Sequence, residues 1–121
     1  MWQVHRTNEL LEWVKALNDN SKEAILKSVL ILQEIGPALG RPYVDAVKHS
    51  RYKNMKELRI QVKKRILRIF FAFDPNREAI LLTGGDKRGN KRFYETLVPI
   101  ADQLYERHLE GIGETYESKK G

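Results

Sequence analysis

A chain of 121 residues, 41% of them hydrophobic, can bury one core of ordinary domain size and no more. It has no cysteine, which excludes disulfides, thiolate metal sites and a cysteine nucleophile, and no apolar run approaches the roughly 20 residues of a membrane span. The formal charge of +6 is unevenly placed: residues 48–92 hold 14 Lys or Arg against 4 Asp or Glu, while the rest of the chain is net acidic. Such a basic middle points to a surface that meets polyanions, nucleic acid foremost. The opening MWQVHRTNELLEW lacks the basic-then-apolar layout of a secretion signal, so a cytoplasmic protein of one domain, residues 1–121, is expected.

Trp2–Arg6 alternates in polarity and reads as a short first strand. Thr7 or Asn8 can cap a helix that carries Leu10, Leu11, Val14 and Leu17 on one side. The NDNS turn at 18–21 ends it. Asn20 with Glu23 resembles a capping box for a second helix, striped with Ile25, Leu26, Val29, Leu30 and Leu32. Gly36-Pro37 stops that helix, leaving an antiparallel hairpin that needs an apolar surface beneath it.

The surface comes next in the chain. After the irregular LGRPYVDAVKHSRYKN, Lys56–Val62 alternates as a strand, with Leu58, Ile60 and Val62 on one face. Lys63-Lys64 turns into a longer strand, Arg65–Phe73, and Asp74-Pro75-Asn76-Arg77 is a strong turn signal. A third run, Glu78–Thr83, is broken by Gly84-Gly85. The pattern predicts an α+β fold: an N-terminal helical hairpin packed on one side of a small antiparallel β-meander, followed by a C-terminal helix. Pro99 is expected to separate a short first turn from that helix, which bears Ile100, Leu104 and Tyr105. The last residues, GIGETYESKKG, are polar and expected to form a flexible tail of about ten residues.

Alternation also gives the cations a direction. If Leu58, Ile60, Leu67, Ile69 and Phe71 face the hairpin, then Glu57, Arg59, Gln61 and Arg68 face the other way. Adjacent strands would set Arg59 beside Arg68 with no helix above them. Two neighbouring guanidiniums repel, and the arrangement makes sense where a phosphate is expected between them. The plainer alternative is that Glu57 and Asp86 neutralise them.

The segment GGDKRGNKRFYE, residues 84–95, adds Lys87, Arg88, Lys91 and Arg92 at one end of the sheet. Its glycines could let backbone amides approach a phosphate, but the Gly-Lys-Ser/Thr ending of a P-loop is absent. Tyr94 can stack on a base or reach a phosphate, or can be a core tyrosine; Phe93 is the stronger core candidate. His5, His49 and His108 show no metal-ligand spacing, and no serine has a nucleophile-elbow context. Any chemistry therefore rests on Arg, Lys and Tyr, with no metal and no cofactor expected.

The succession of a helical hairpin, RYKNMKELR, RILRIFFAFDPNREAILLTGGDKRGNKRFYE and a terminal helix resembles the RelE/ParE toxin superfamily, and within it the phage-derived, HigB-like branch. The resemblance covers essentially the whole chain, and KELR with AILLTGGDK is its most specific part. It implies a RelE-like fold and the toxin of a type II toxin–antitoxin system, a ribosome-dependent mRNA endoribonuclease whose sheet face docks in the ribosomal A site. It also implies a cognate antitoxin, of the Xre-type helix-turn-helix class in this branch, with operator DNA contacted only through the complex. Cleavage in such toxins proceeds by attack of the ribose 2′-hydroxyl on the adjacent phosphate.

By position, Arg68 matches the arginine of the second meander strand, Lys87 and Arg88 the basic residues after the last strand, and Tyr94 the terminal tyrosine. The implied catalytic set is Arg68, Arg59, Tyr94 and Lys56, with Lys53, Lys87, Arg88, Lys91 and Arg92 on RNA. The first meander strand departs from the alternating lysines of RelE-like members, so Lys53, Lys56, His49 and Glu57 all stand as candidates for the general base. Two other functions fit the same fold: a ParE-like, non-nuclease inhibitor of DNA gyrase, and an RNA-binding homologue without activity.

Overall fold

The alternating stretch from Lys56 onward does form a meander, but one embedded in a wider sheet. The structure, a computed structural model, describes residues 1–120, with side chains through residue 113. The strands are β1 (Val4–Arg6), β2 (Val44–Ala46), β3 (Lys56–Val62), β4 (Arg65–Phe73) and β5 (Ala79–Asp86). They lie in the order β1-β5-β4-β3-β2. All neighbours are antiparallel except β1, which runs parallel to β5 with Val4 beside Ala79. The segment read as irregular thus supplies an edge strand, with Val44 opposite Leu58. β5 extends through Gly84 and Gly85 rather than stopping before them.

Two helices, α1 (Asn8–Lys15) and α2 (Asp19–Ile35), cover one face. Thr7 caps α1: its hydroxyl accepts from Leu10 N at 3.0 Å and donates to Leu82 O at 2.6 Å, so the cap is also a tether to β5. The cap of α2 is Asn18, accepting from Ser21 N at 2.9 Å, two residues before the capping box expected at Asn20. Asn18 is the residue with extended backbone there, as an N-cap requires. Gly36 ends α2 at φ 73°, and a Cβ on it would stand 2.3 Å from the Trp2 indole. Leu10, Ile25 and Leu32 pack on Leu58, Ile60, Leu67, Ile69, Phe71 and Leu81.

The opposite face is not left open. A third helix, α3 (Phe93–Lys120), lies across it and forms a second core with Met55, Phe70, Ala72, Ile80 and Leu82 from the sheet side and Phe93, Val98, Ala101, Leu104 and Tyr105 from its own. Pro99 does not divide this helix. It sits on an exposed position inside it, removing one backbone donor while the flanking buried residues hold the helical path. Ile100, expected to pack, is 40% exposed. The polar tail expected at the end falls from residue 114 onward outside the residues whose side chains are described; helical backbone runs to Lys120.

The two layers meet the sheet most closely at a pair of adjacent glycines. A Cβ on Gly84 would lie 2.6 Å from the Trp13 ring of α1 and 2.8 Å from Arg68 O, and one on Gly85 would lie 3.0 Å from both Leu97 and Phe93 of α3. The glycines expected to expose amides to a phosphate instead make room for rings on both sides. A register shift passes over Leu82, so that Thr83 stands opposite Phe70, Gly84 opposite Ile69 and Gly85 opposite Arg68.

Candidate active site

The α3 face of the sheet carries the charged residues that alternation assigned to it. Arg59 and Arg68 are register partners on β3 and β4, and Glu57 lies opposite Phe70. They are not an uncovered pair. Arg68 and Glu57 are each 5% exposed, with Arg68 Nε 3.4 Å from Glu57 Oε2, and Arg59 Nε stands 3.7 Å from the same oxygen. One carboxylate therefore serves two guanidiniums. The reason is desolvation: a buried arginine without a counter-charge costs several kcal/mol, so the sheet places the acid in the same layer. The pairing is incompletely satisfied, because Arg68 Nε makes no hydrogen bond, although an Arg68 terminal nitrogen donates to Leu67 O at 3.0 Å.

Tyr94 closes the cluster from above. As the second residue of α3 it packs edge-on against Phe70 and Phe93, with ring centroids 6.0 and 5.2 Å apart. Its phenol feels the charges of Glu57 and Arg68 in opposite directions. Burial, reinforced by the Glu57 carboxylate, pushes the phenol above its ordinary value of 10.0, so it stays protonated at neutral pH. The ring belongs to the apolar layer, as the core reading of Tyr94 expects. Lys87 Nζ lies 5.2 Å from the ring centroid, which brings one expected RNA-binding lysine to the cluster.

Other expected residues fall elsewhere. Lys56 lies on the α1–α2 face, where its ammonium is 3.4 Å from Pro37 O and 6.0 Å from the Phe73 ring centroid. Strand alternation puts it out of phase with Glu57 and on the opposite face from Arg68. Arg88 turns to the hairpin end of β3 and β4, donating to Lys64 O at 3.0 Å and lining a cavity of about 540 Å³ with Lys63, Lys64 and Arg65. Lys53, Lys91 and Arg92 are exposed. His49, at φ 67°, lines a cavity of about 190 Å³ with Lys48, Tyr94 and Pro99.

The sequence reading missed Tyr43 and placed Gln61 on this face without giving it a role. Tyr43 and Gln61 line a cavity of about 340 Å³ together with Arg59 and Arg68. Finding Tyr43 needs the β2–β3 pairing, which sets its carbonyl 2.7 Å from Arg59 N. The role of Glu57 was legible only as one of several candidates.

Residues 12–106 match the family described as phage derived protein Gp49-like. The chain belongs to this family. The Gp49-like chain is 50% identical over 98 residues to a Mycobacterium tuberculosis protein named "Putative toxin HigB3", covering 80% of this chain and 84% of that one. It is 40% identical over 110 residues to "Putative toxin HigB2" of the same organism, spanning 89% of this chain but only 55% of the relative. The fold is that of RelE. An archaeal RelE from the RelE–RelB complex of Pyrococcus horikoshii superposes with a TM-score of 0.55 over 74% of this chain and 97% of that one, at 14% identity. Free E. coli toxin RelE carrying two arginine-to-alanine changes gives 0.57 over 88% and 96%, at 9% identity. The Gp49-like chain is thus a relative of proteins named as HigB toxins and has a RelE-like fold.

Proposed function

We propose that this protein is the toxin of a type II toxin–antitoxin pair and acts in the cytoplasm as a metal-independent mRNA endoribonuclease on translating ribosomes. The observation that carries the reading is the shared carboxylate: Glu57 between Arg59 and Arg68, with the Tyr94 ring packed on Phe70, the register partner of Glu57. These groups form an acid, a base and a phosphate clamp in one place. Glu57 takes the proton of the ribose 2′-hydroxyl as the 2′-oxygen bonds to phosphorus. Arg59 and Arg68 stabilise the charge on the phosphoryl oxygens. The bond to the 5′-oxygen breaks, and Tyr94 donates the proton that this leaving group needs. The products are a 2′,3′-cyclic phosphate and a 5′-hydroxyl. Lys87 holds flanking backbone, with Lys53, Lys91 and Arg92 as more distant contacts.

Catalytic contacts are often long or poorly aligned before substrate binds, and the misaligned Arg68 Nε fits that state. Entry of a phosphate would compete with Glu57 for both guanidiniums and free its oxygen to accept a proton. The antitoxin partner is supported by the RelE–RelB complex among the structural relatives; the Xre-type class is part of the proposal. The test is induction of the protein with and without its antitoxin, followed by mapping of mRNA 5′-ends. Glu57→Gln should abolish the new ends. Unchanged ends with that variant would remove Glu57 from the mechanism, and no ends with the parent would remove the nuclease.

A second reading has one observation in its favour. The closed Glu57–Arg68 pair is also what a toxin homologue that binds RNA without cutting it would retain. Growth arrest with intact mRNA would select it, and inhibition of gyrase supercoiling would select a ParE-like action.

A further inference from the structure

Beside the charged cluster, the sheet face opens into the cavity of about 340 Å³ lined by Pro42, Tyr43, Arg59, Ile60, Gln61 and Arg68. Its size is at the low end of small-ligand sites, which suits a single nucleotide rather than a protein segment. Two of its side chains are unused. Tyr43 is 44% exposed, and neither its ring nor the Gln61 amide has a hydrogen-bond, ring or ionic partner among the described residues. Backbone pairing nevertheless fixes Tyr43 at Arg59, with Arg59 N donating to Tyr43 O at 2.7 Å.

From this arrangement we infer that the cavity is a nucleobase seat, which takes a base next to the phosphate held by Arg59 and Arg68. The inference rests on the ribonuclease reading for the claim that the base belongs to RNA. The chemistry is specific to a base. A flat, exposed phenol ring offers a stacking surface that any unstacked base can use. A carboxamide presents both a donor and an acceptor, matching the mixed edge of a base better than a phosphate, which only accepts. The guanidiniums supply the charge for the attached phosphate. An acidic peptide would use the arginines and leave Tyr43 and Gln61 idle.

The test is titration of the purified protein with the four nucleoside 5′-monophosphates and with ribose 5-phosphate, followed by NMR. The nucleotides should bind about tenfold more tightly than ribose 5-phosphate, the scale of one stacked base. Tyr43→Ala should erase that advantage and Tyr43→Phe should keep it. Gln61→Ala should narrow the spread among the four bases without lowering all of them. Equal binding of ribose 5-phosphate and nucleotides, or nucleotide binding untouched by Tyr43→Ala, overturns the seat. Base-dependent binding by a protein that leaves ribosomal mRNA whole would retire the ribonuclease reading and keep the seat. Cleavage with Tyr43-independent binding would do the reverse.

Discussion

Glu57 and Arg68 are buried side by side, 3.4 Å apart, on adjacent strands of the face that α3 only partly covers. Each makes the other's burial tolerable, and removing one strands the other. Arg68→Ala should therefore lower stability by about 3–5 kcal/mol as well as abolish cleavage. Adding Glu57→Leu should recover much of that stability without recovering activity. Urea denaturation of both variants checks the pair; a single variant as stable as the parent would show that the carboxylate finds water or another partner.

Tyr94 separates fold from chemistry with a single atom. Tyr94→Phe keeps the edge contacts with Phe70 and Phe93 and should melt within a few degrees of the parent. Loss of the proton donor should slow cleavage by about 10²–10⁴-fold. Because the phenol pKa is raised above 10.0, the donor stays loaded through neutral and mildly alkaline pH, and activity should fall only above that value. An alkaline limb below pH 9 in the parent enzyme would assign the donor to another group.

Gly84 should not accept even a methyl group. The added carbon would meet the Trp13 ring at 2.6 Å and the Arg68 carbonyl at 2.8 Å, and the second of these is backbone that cannot step aside. Gly84→Ala should cost about 1–3 kcal/mol by overpacking. Gly40→Ala, where a Cβ meets nothing within 4 Å, is the control and should leave the melting temperature near that of the parent.

Arg107 of α3 grips Glu9 of α1 through two hydrogen bonds of 2.7 and 2.8 Å, tying together helices on opposite faces of the sheet. The guanidinium lowers the Glu9 pKa from 4.5 to about 2. A depressed folded-state pKa gives stability that is present above pH 4.5 and lost as pH falls toward 2. Glu9→Gln should flatten that part of the acid-unfolding curve and change little at pH 7, since the pair is exposed. An unaltered acid limb would place the clasp outside the folding equilibrium.

The meander was legible because β3 alternates along its length and β4 and β5 are apolar runs bounded by turn signals, and β3 and β4 span the residues read from the sequence. The short edge strands were harder. β1 was visible as alternation, but nothing local says that Val4–Arg6 pairs parallel with a strand 75 residues later. β2 has only three residues and hides between a proline and a polar loop. Gly84 and Gly85 read as a break because the rings that require them are remote in sequence. Alternation placed Arg59 and Arg68 on the correct face and beside each other. It offered Glu57 and Asp86 as counter-charges without choosing between them; Glu57 pairs with both arginines, while Asp86 accepts from backbone at Ile66 and Arg88, because the geometry of a side-chain carboxylate depends on what buries it.

The paired glycines have a mechanical meaning. At residues 84 and 85 the barrier between the two halves of the molecule is one backbone thick, with the Trp13 indole on one side and the Phe93 ring on the other. Pressure applied to the outer surface of α1 reaches the residue next to Tyr94 through a pair of peptide units. Two surfaces that face away from each other are therefore near neighbours through the thickness of one strand.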